Sequence, residues 1–411
     1  MALPFAQDTT YGSAYHSVVT DADNILRVWR KDLARETTNL QQFGPFMGEG
    51  PLNIIQHLSD LEARQGIHIT KSLMKSIAIS NKPYQGDRDT HNLEVKITDS
   101  SETVTLKEWR LPAIEGRAER KLPQWNYTEE TRMAIERYVA ERKDLHILNC
   151  AIGIATYDGE STAQVIFGGE TPTNVVYPKG TTNLAGLAAS HILTPQQVSR
   201  AAEVMETGYS NSSTQIFTGT TPAVGGLGVR GVCFIHPYCK FDIRWNEDKI
   251  FENWMADAEI RGGTNPIWKG IPDKFMIDGI LYVTLRQPID YYMRFAAGST
   301  SIWSGAGADV PGADVALNFY CTSQAVLRAT AIEDILEFEN WDGNQFTRVI
   351  GGSYEGLTKC RYARGATTST GHRGAPLTTE ETTPTQYTTT RTDDKDWGIV
   401  IVPAAAYHHN D

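Results

Sequence analysis

Three residues in one short run have the chemistry to bind a metal: Cys233, His236 and Cys239. Thiolates and imidazoles are ordinary zinc ligands, but a structural site needs four of them at a recognised spacing. This run supplies three. Along a strand, Cys233 and Cys239 project to one face and His236 to the other. Pro237 bends the run, yet it still reads as core cysteines beside a hydrogen-bonded histidine. The five cysteines, Cys150, Cys233, Cys239, Cys321 and Cys360, are odd in number and scattered. They point to free thiols in a reducing cytoplasm rather than to a disulfide framework. The terminal His408-His409 pair is a weak chelator at most. There is no Gly-x-Ser-x-Gly elbow and no His-Glu-x-x-His pair. The glycine-rich run Gly225 to Gly231 lacks the Lys-Ser/Thr that holds phosphate and magnesium, and it leads into a strand. It reads as a connection. Asp309 and Asp314 read as ordinary acidic residues of a surface loop. With no catalytic constellation, metal site or cofactor site, a structural or assembly role is favoured over an enzyme.

The elements that would carry any function come from a chain of 411 residues. Its 40% hydrophobic and 21% charged composition is that of a folded protein. The length suits two or three domains with a sizeable core. The 38 basic residues against 49 acidic ones leave a net charge of -11, which argues against nucleic-acid binding, where basic residues must meet phosphate. No apolar run approaches the roughly 20 residues that cross a bilayer. Met1 to Gln7 has no basic n-region, so no signal peptide is expected.

Periodicity then predicts the elements. Ala22, Leu26, Trp29 and Leu33 recur at helical spacing between Asp21 and Arg35, before the breaks at Gly44-Pro45 and Gly48 to Pro51. Such a helix on a jointed arm must dock elsewhere. Ile67 to Thr70 and Leu93 to Thr98 alternate as strands do. After a polar turn at Asp99 to Glu102, Val104-Thr105-Leu106 resumes the alternation, and Trp109 shifts phase through a bulge. A two-stranded ribbon is marginal alone, so this one must lie on its own chain or on a neighbour. Asn126 with Glu129 caps a helix that no Gly or Pro interrupts from Tyr127 to Ile152, with Ala134, Ile135, Tyr138, Val139, Leu145 and Leu148 on one face. Thr194-Pro195-Gln196-Gln197 opens another helix, whose apolar stripe is Val198, Ala201, Ala202 and Met205 and whose end is at Gly208. Gly231 to Pro237 and Gly279 to Leu285 read as strands and Asp248 to Ile260 as a helix. Asn318 to Ala331 fits either. Phe346 to Ile350 begins a β-rich tail that ends on Trp397 to Val402. Between them, Thr367 to Thr392 is so rich in threonine that it reads as an exposed ribbon or loop.

Taken in order, several of these stretches resemble a tailed-phage major capsid protein, of the family typified by coliphage N-four. They are Trp29-Arg30-Lys31-Asp32-Leu33, Gly66 to Leu73, Arg120 to Trp125 with Asp144 to Leu148, Phe234-Ile235-His236-Pro237 with Phe241 to Arg244, Asn265 to Gly270, and Asp396 to Val402. The likeness runs from about residue 20 to 402. Pro83 to Asn92 departs from the family's acidic stretch, and Thr367 to Thr392 looks like an insertion.

The resemblance implies an α+β chain with the Hong Kong 97 capsid fold. Its parts would be an N-terminal arm (1–62), an extended hairpin loop (63–121), the spine helix of a peripheral domain (122–160), an axial domain (161–345) and a return to the peripheral domain (346–411). It implies hexamers and pentamers of an icosahedral shell that encloses double-stranded DNA without sequence-specific binding. Scaffolding, portal and decoration proteins would be the partners, with no membrane, and assembly would occur in the host cytoplasm. The apolar residues of the arm and ribbon, Trp29, Leu33, Leu93, Val95, Ile97, Val104, Leu106 and Trp109, are the expected intersubunit contacts. A neck or tail protein, or an enzyme without a recognisable motif, is the alternative.

Overall fold

Whether a strand of this chain is apolar at every position or at every second one decides how it packs. A computed structural model describes residues 40–50, 52–59, 67–74, 99–116, 127–154, 166–168, 171–207, 229–246, 274–299, 302–303, 310–341, 346–363 and 394–407. In chain order the first strands are β1 (Met47–Gly48), β2 (Ile55–Leu58), β3 (His68–Met74), β4 (Asp99–Thr105) and β5 (Lys107–Gly116). Helix α1 (Tyr127–Ile152), helix α2 (Pro195–Thr207), β6 (Gly231–Ile235) and helix α3 (Pro237–Asn246) follow. Then come β7 (Lys274–Ile277), β8 (Ile280–Thr284), β9 (Arg294–Phe295), β10 (Val315–Cys321), β11 (Val326–Trp341) and β12 (Phe346–Lys359). The last are β13 (Arg361–Ala363), β14 (Asp394–Asp396) and β15 (Ile399–Ala405). The expected arm helix, the helix over Asp248 to Ile260, the strand Leu93 to Thr98 and the threonine-rich stretch lie outside the described residues.

The described residues divide into two compact units, each drawn from three stretches of chain. One takes its residues from within 1–44, 106–144 and 330–355, and the other from within 45–105, 145–329 and 356–411. Helix α1 and strands β11 and β12 each contribute residues to both.

In the second unit, continuous apolar runs become strands buried on both faces. A six-stranded sheet runs β15-β10-β6-β8-β7, with β9 also paired to β10. It is antiparallel except for β6 and β8, which run parallel from Gly231↔Ile280 to Ile235↔Thr284. Cys233, Ile235, Tyr282, Tyr320, Val400 and Val402 on one face pack in a single core with α2 and α3. On the other, Phe234 stacks on Phe319 and meets Phe46 edge-on. The stretch Asn318 to Ala331 is thus two strands, because β10 pairs along its length with β15 and takes β6 on its other side.

Helix α2 starts as its sequence dictates. The Thr194 hydroxyl accepts the Gln197 N–H at 3.3 Å, and Val198, Ala201, Ala202 and Met205 are buried. The Gln197 side chain does not return to the cap. It donates to the carbonyls of Val176 and Pro403, which ties the helix to β15.

The polar stretch Asp99 to Glu102 is strand rather than turn. It belongs to β4, which pairs antiparallel with β3 from His68↔Thr105 to Met74↔Asp99. Asp and Ser favour turns by their local hydrogen bonds, but a strand partner satisfies the same backbone groups, and the ladder prevails. The phase shift at Trp109 is not a bulge. The chain leaves β3 after Thr105, and β5 takes β12 as its partner from Glu355↔Lys107 to Phe346↔Gly116.

In the first unit, β5 alternates. Trp109 is buried, while Glu108, Arg110, Pro112 and Ile114 are exposed. Helix α1, 26 residues or ~39 Å long, lays Ile135 and Val139 against β12 at Gly351. A β-carbon at Gly351 would strike the Ile135 Cγ2. Ala134, expected on the apolar face, is exposed, whereas Glu136 and Lys143 from the charged set are buried.

Candidate functional site

The metal-like run forms a corner of the core. Cys233 lies in β6, Pro237 begins α3, and Cys239 sits in that helix with its Sγ accepting a hydrogen bond from Asn318 Nδ2. Burial pushes the Cys233 thiol well up and the Cys239 thiol up to about 12, so both stay protonated and are poor ligands. The Nδ1 of His236 is already occupied, accepting the Tyr238 N–H at 3.1 Å. No cluster of three or more metal-binding side chains occurs among the described residues. All five cysteines are buried free thiols.

Asn318 is the polar centre of this core. Its Oδ1 accepts the His236 N–H at 2.9 Å, and its Nδ2 also donates to the Val402 carbonyl at 3.3 Å. One amide thereby joins β6, α3, β10 and β15, the arrangement that lets a buried polar group be tolerated. Asp314, expected on an open loop, pairs with Arg294 at 2.7 Å and accepts the Ala297 N–H. Asp309 lies outside the described residues, as does the glycine-rich run as far as Gly228.

A buried ionic cluster fixes the end of the chain. Asp396, 1% exposed, receives the Arg361 Nε at 2.7 Å and the Thr173 N–H at 2.8 Å, with Lys359 Nζ at 3.8 Å. Its backbone N–H donates to the Thr173 hydroxyl and its carbonyl accepts from Asn174. Sequence reasoning missed it, because partners so distant in the chain leave no spacing to read. In the first unit Asp144 likewise accepts the Gln42 N–H at 2.7 Å and the Phe43 N–H.

Of the expected contact residues, Trp29, Leu33, Leu93, Val95 and Ile97 lie outside the described residues. Val104, Leu106 and Trp109 are buried within their own chain. The Trp109 Nε1 donates to Glu355 at 3.1 Å, and a β-carbon on Gly356 would sit 2.8 Å from the Val104 side chain. These three residues are therefore buried within the subunit, Trp109 beside the paired strand β12, and are not a free contact surface. The large apolar side chains left exposed include Ile67, Ile114, Met133, Ile332 and Tyr291. Tyr291 is 75% exposed, on a 3-10 turn beside Tyr292. No described helix is long and apolar enough to cross a membrane.

What this architecture offers is a well-buried core and several exposed apolar positions. The sequence model of a family described as phage capsid protein matches residues 18–374. The chain belongs to that family, as a major capsid protein that forms the shell of a phage virion. The neck or tail reading is not favoured. Its fold is similar to the capsid of Ralstonia phage GP4, at 18% identity over 89% of this chain and 91% of that one, with a TM-score of 0.63. The capsid asymmetric unit of cyanophage Pam1 is similar at 17% identity, 89% and 92% coverage and a TM-score of 0.55. The head structure of Helicobacter pylori bacteriophage KHP40 is similar at 11% identity, 89% and 91% coverage and a TM-score of 0.58. These likenesses show a mixed α+β fold with few helices and several sheets. No curated protein matches the chain.

Proposed function

We propose that this subunit closes an icosahedral shell from hexamers and pentamers in the Hong Kong 97 arrangement, without catalysis and without a cofactor. The observation that carries this reading is the family match over residues 18–374. A 26-residue helix and a two-stranded ribbon support it, as elements suited to symmetry-related neighbours. In this reading 1–62 is the arm, 63–121 the extended loop, 122–160 the spine segment, 161–345 the axial domain and 346–411 the return.

The contacts between copies then come from Trp29, Leu33, Leu93, Val95 and Ile97, together with the exposed Ile67, Ile114, Met133 and Tyr291. Scaffolding, portal and decoration proteins are the further partners, and assembly takes place in the host cytoplasm. The enclosed double-stranded DNA is confined, not gripped, by a wall whose subunits carry -11 each. Raising salt should ease association of such subunits by screening like charges. Tight DNA retention at low salt that vanishes at high salt would contradict the acidic wall.

The register of the ribbon gives the decisive test. Met74 and Asp99 face each other across the ladder, so the chain between them can be replaced by Asn-Gly, a tight hairpin turn. The expected product is a soluble subunit with unchanged secondary structure that forms no shells in electron micrographs. Shells of normal size from that variant would refute the assembly role of the loop.

A further inference from the structure

The junction of β6 and α3 turns on a histidine that caps a helix. Helix N-termini are ordinarily capped by Ser, Thr, Asp or Asn. Here His236 Nδ1 accepts the Tyr238 N–H at 3.1 Å, and the His236 carbonyl accepts the Lys240 N–H at 3.2 Å. The neutral ring then carries its one proton on Nε2. From β10, Asn318 holds the His236 backbone in place through its Oδ1.

Burial and the nearby Arg294 cation oppose a second proton on the ring. His236 is 4% exposed. The Tyr238 ring meets it edge-on with centroids 4.8 Å apart. Over that tyrosine, 5.3 Å from its centroid, lies the Arg294 guanidinium, kept there by Asp314. Helix α3 presents Tyr238, the protonated thiol of Cys239 and, further along, the buried carboxylate of Asp242. Strand β9 presents the Arg294 cation, and β10 presents the uncharged Asn318 with Asp314 just ahead of the strand. The positive end of the helix dipole adds to the Arg294 charge. Burial first, and Arg294 second, hold the imidazole down to about 4.

We propose that His236 is an acid-sensitive latch in the shell subunit. Neutral, it caps α3 and fastens it against the β9–β10 side of the six-stranded sheet. Protonated, it cannot accept the Tyr238 N–H, and it sets a second cation beside Arg294, so this corner of the core opens. The unfolded ring takes up its proton near pH 6.5 while the folded ring resists until about 4. The stability tied to His236 is therefore complete above about pH 6.5 and is lost as the pH falls toward about 4.

The test uses the full-length subunit, unfolded in urea at about pH 7 and about pH 4.5, as wild type and as His236→Asn, a cap that does not titrate. The wild type should lose roughly 60-fold more in its folding equilibrium constant between the two conditions than the variant does. Nitrogen chemical shifts of labelled histidine in the native wild type should show an Nε2-protonated ring with its midpoint near 4. Arg294→Gln should move that midpoint upward. A native midpoint near the ordinary 6.5, or equal pH dependence in wild type and His236→Asn, would overturn the latch. Should His236→Asn fail to fold, the wild-type midpoint and its response to Arg294→Gln decide the matter alone.

Discussion

In the six-stranded sheet both faces are covered. Alternate residues of β6, β10 and β15 enter the core with α2 and α3, and the residues between them carry the Phe46, Phe234 and Phe319 cluster. Strand β5 instead buries Trp109 and leaves Glu108, Arg110, Pro112 and Ile114 exposed. The strands of both sheets are joined by hydrogen-bonded ladders, β5 to β12 among them, so the difference lies in side-chain burial. A change inside the first sheet acts on the subunit itself. On the open face of β5, a change leaves the packing of the subunit itself largely untouched.

The largest effect that would sharpen this contrast is expected from Met205→Asp. This side chain is 2% exposed in the core under the six-stranded sheet, and an unpaired charge there should cost several kcal/mol or prevent folding. Urea denaturation followed by circular dichroism measures it. A loss no greater than that of a surface change would mean that α2 is not part of the core.

Next in size is Asp396→Ala, which strands Lys359 and Arg361 without their shared carboxylate. Breaking a buried pair from one side costs about 3–5 kcal/mol. Replacing Asp396 and Lys359 together by apolar residues should recover part of that loss, and a double-mutant cycle reads the difference. A harmless Asp396→Ala would show that the cluster adds nothing to holding the chain end.

Removing the cap of α2 by Thr194→Ala should cost about 1 kcal/mol, because the Gln197 N–H loses the hydroxyl acceptor and keeps only the Thr194 carbonyl. Ile114→Lys, on the open face of β5, should have the smallest effect on the subunit, within about 0.5 kcal/mol. If that face meets a neighbour, the same variant should lower the yield of shells in light scattering and electron microscopy. A strongly destabilised subunit would erase the distinction between the two sheets. Unaltered shell yield would remove Ile114 from the contacts.

Much of this was legible along the chain. The limits of α1 follow from an uninterrupted run and the start of α2 from Thr194-Pro195. Strands β6, β8 and β15 follow from apolar runs too short for helices. The candidate contacts were legible only in part. Val104, Leu106 and Trp109 read along the chain as an apolar face expected at contacts between copies. That they are buried within the chain, next to Glu355 and Gly356 of the paired strand β12, is information held about 250 residues away.

The sequence by itself determined the limits of α1 and the start of α2, the apolar runs, the acidic charge and the lack of any motif for catalysis, because each depends on neighbours within a few residues. Only the tertiary structure decided that Asp99 to Glu102 form a strand, that Asn318 to Ala331 form two, and that Asp396 gathers Thr173, Lys359 and Arg361. Local propensity differs between such alternatives by about 1 kcal/mol or less per residue. A strand partner or a buried counter-charge outweighs it, and neither can be read from the neighbouring residues.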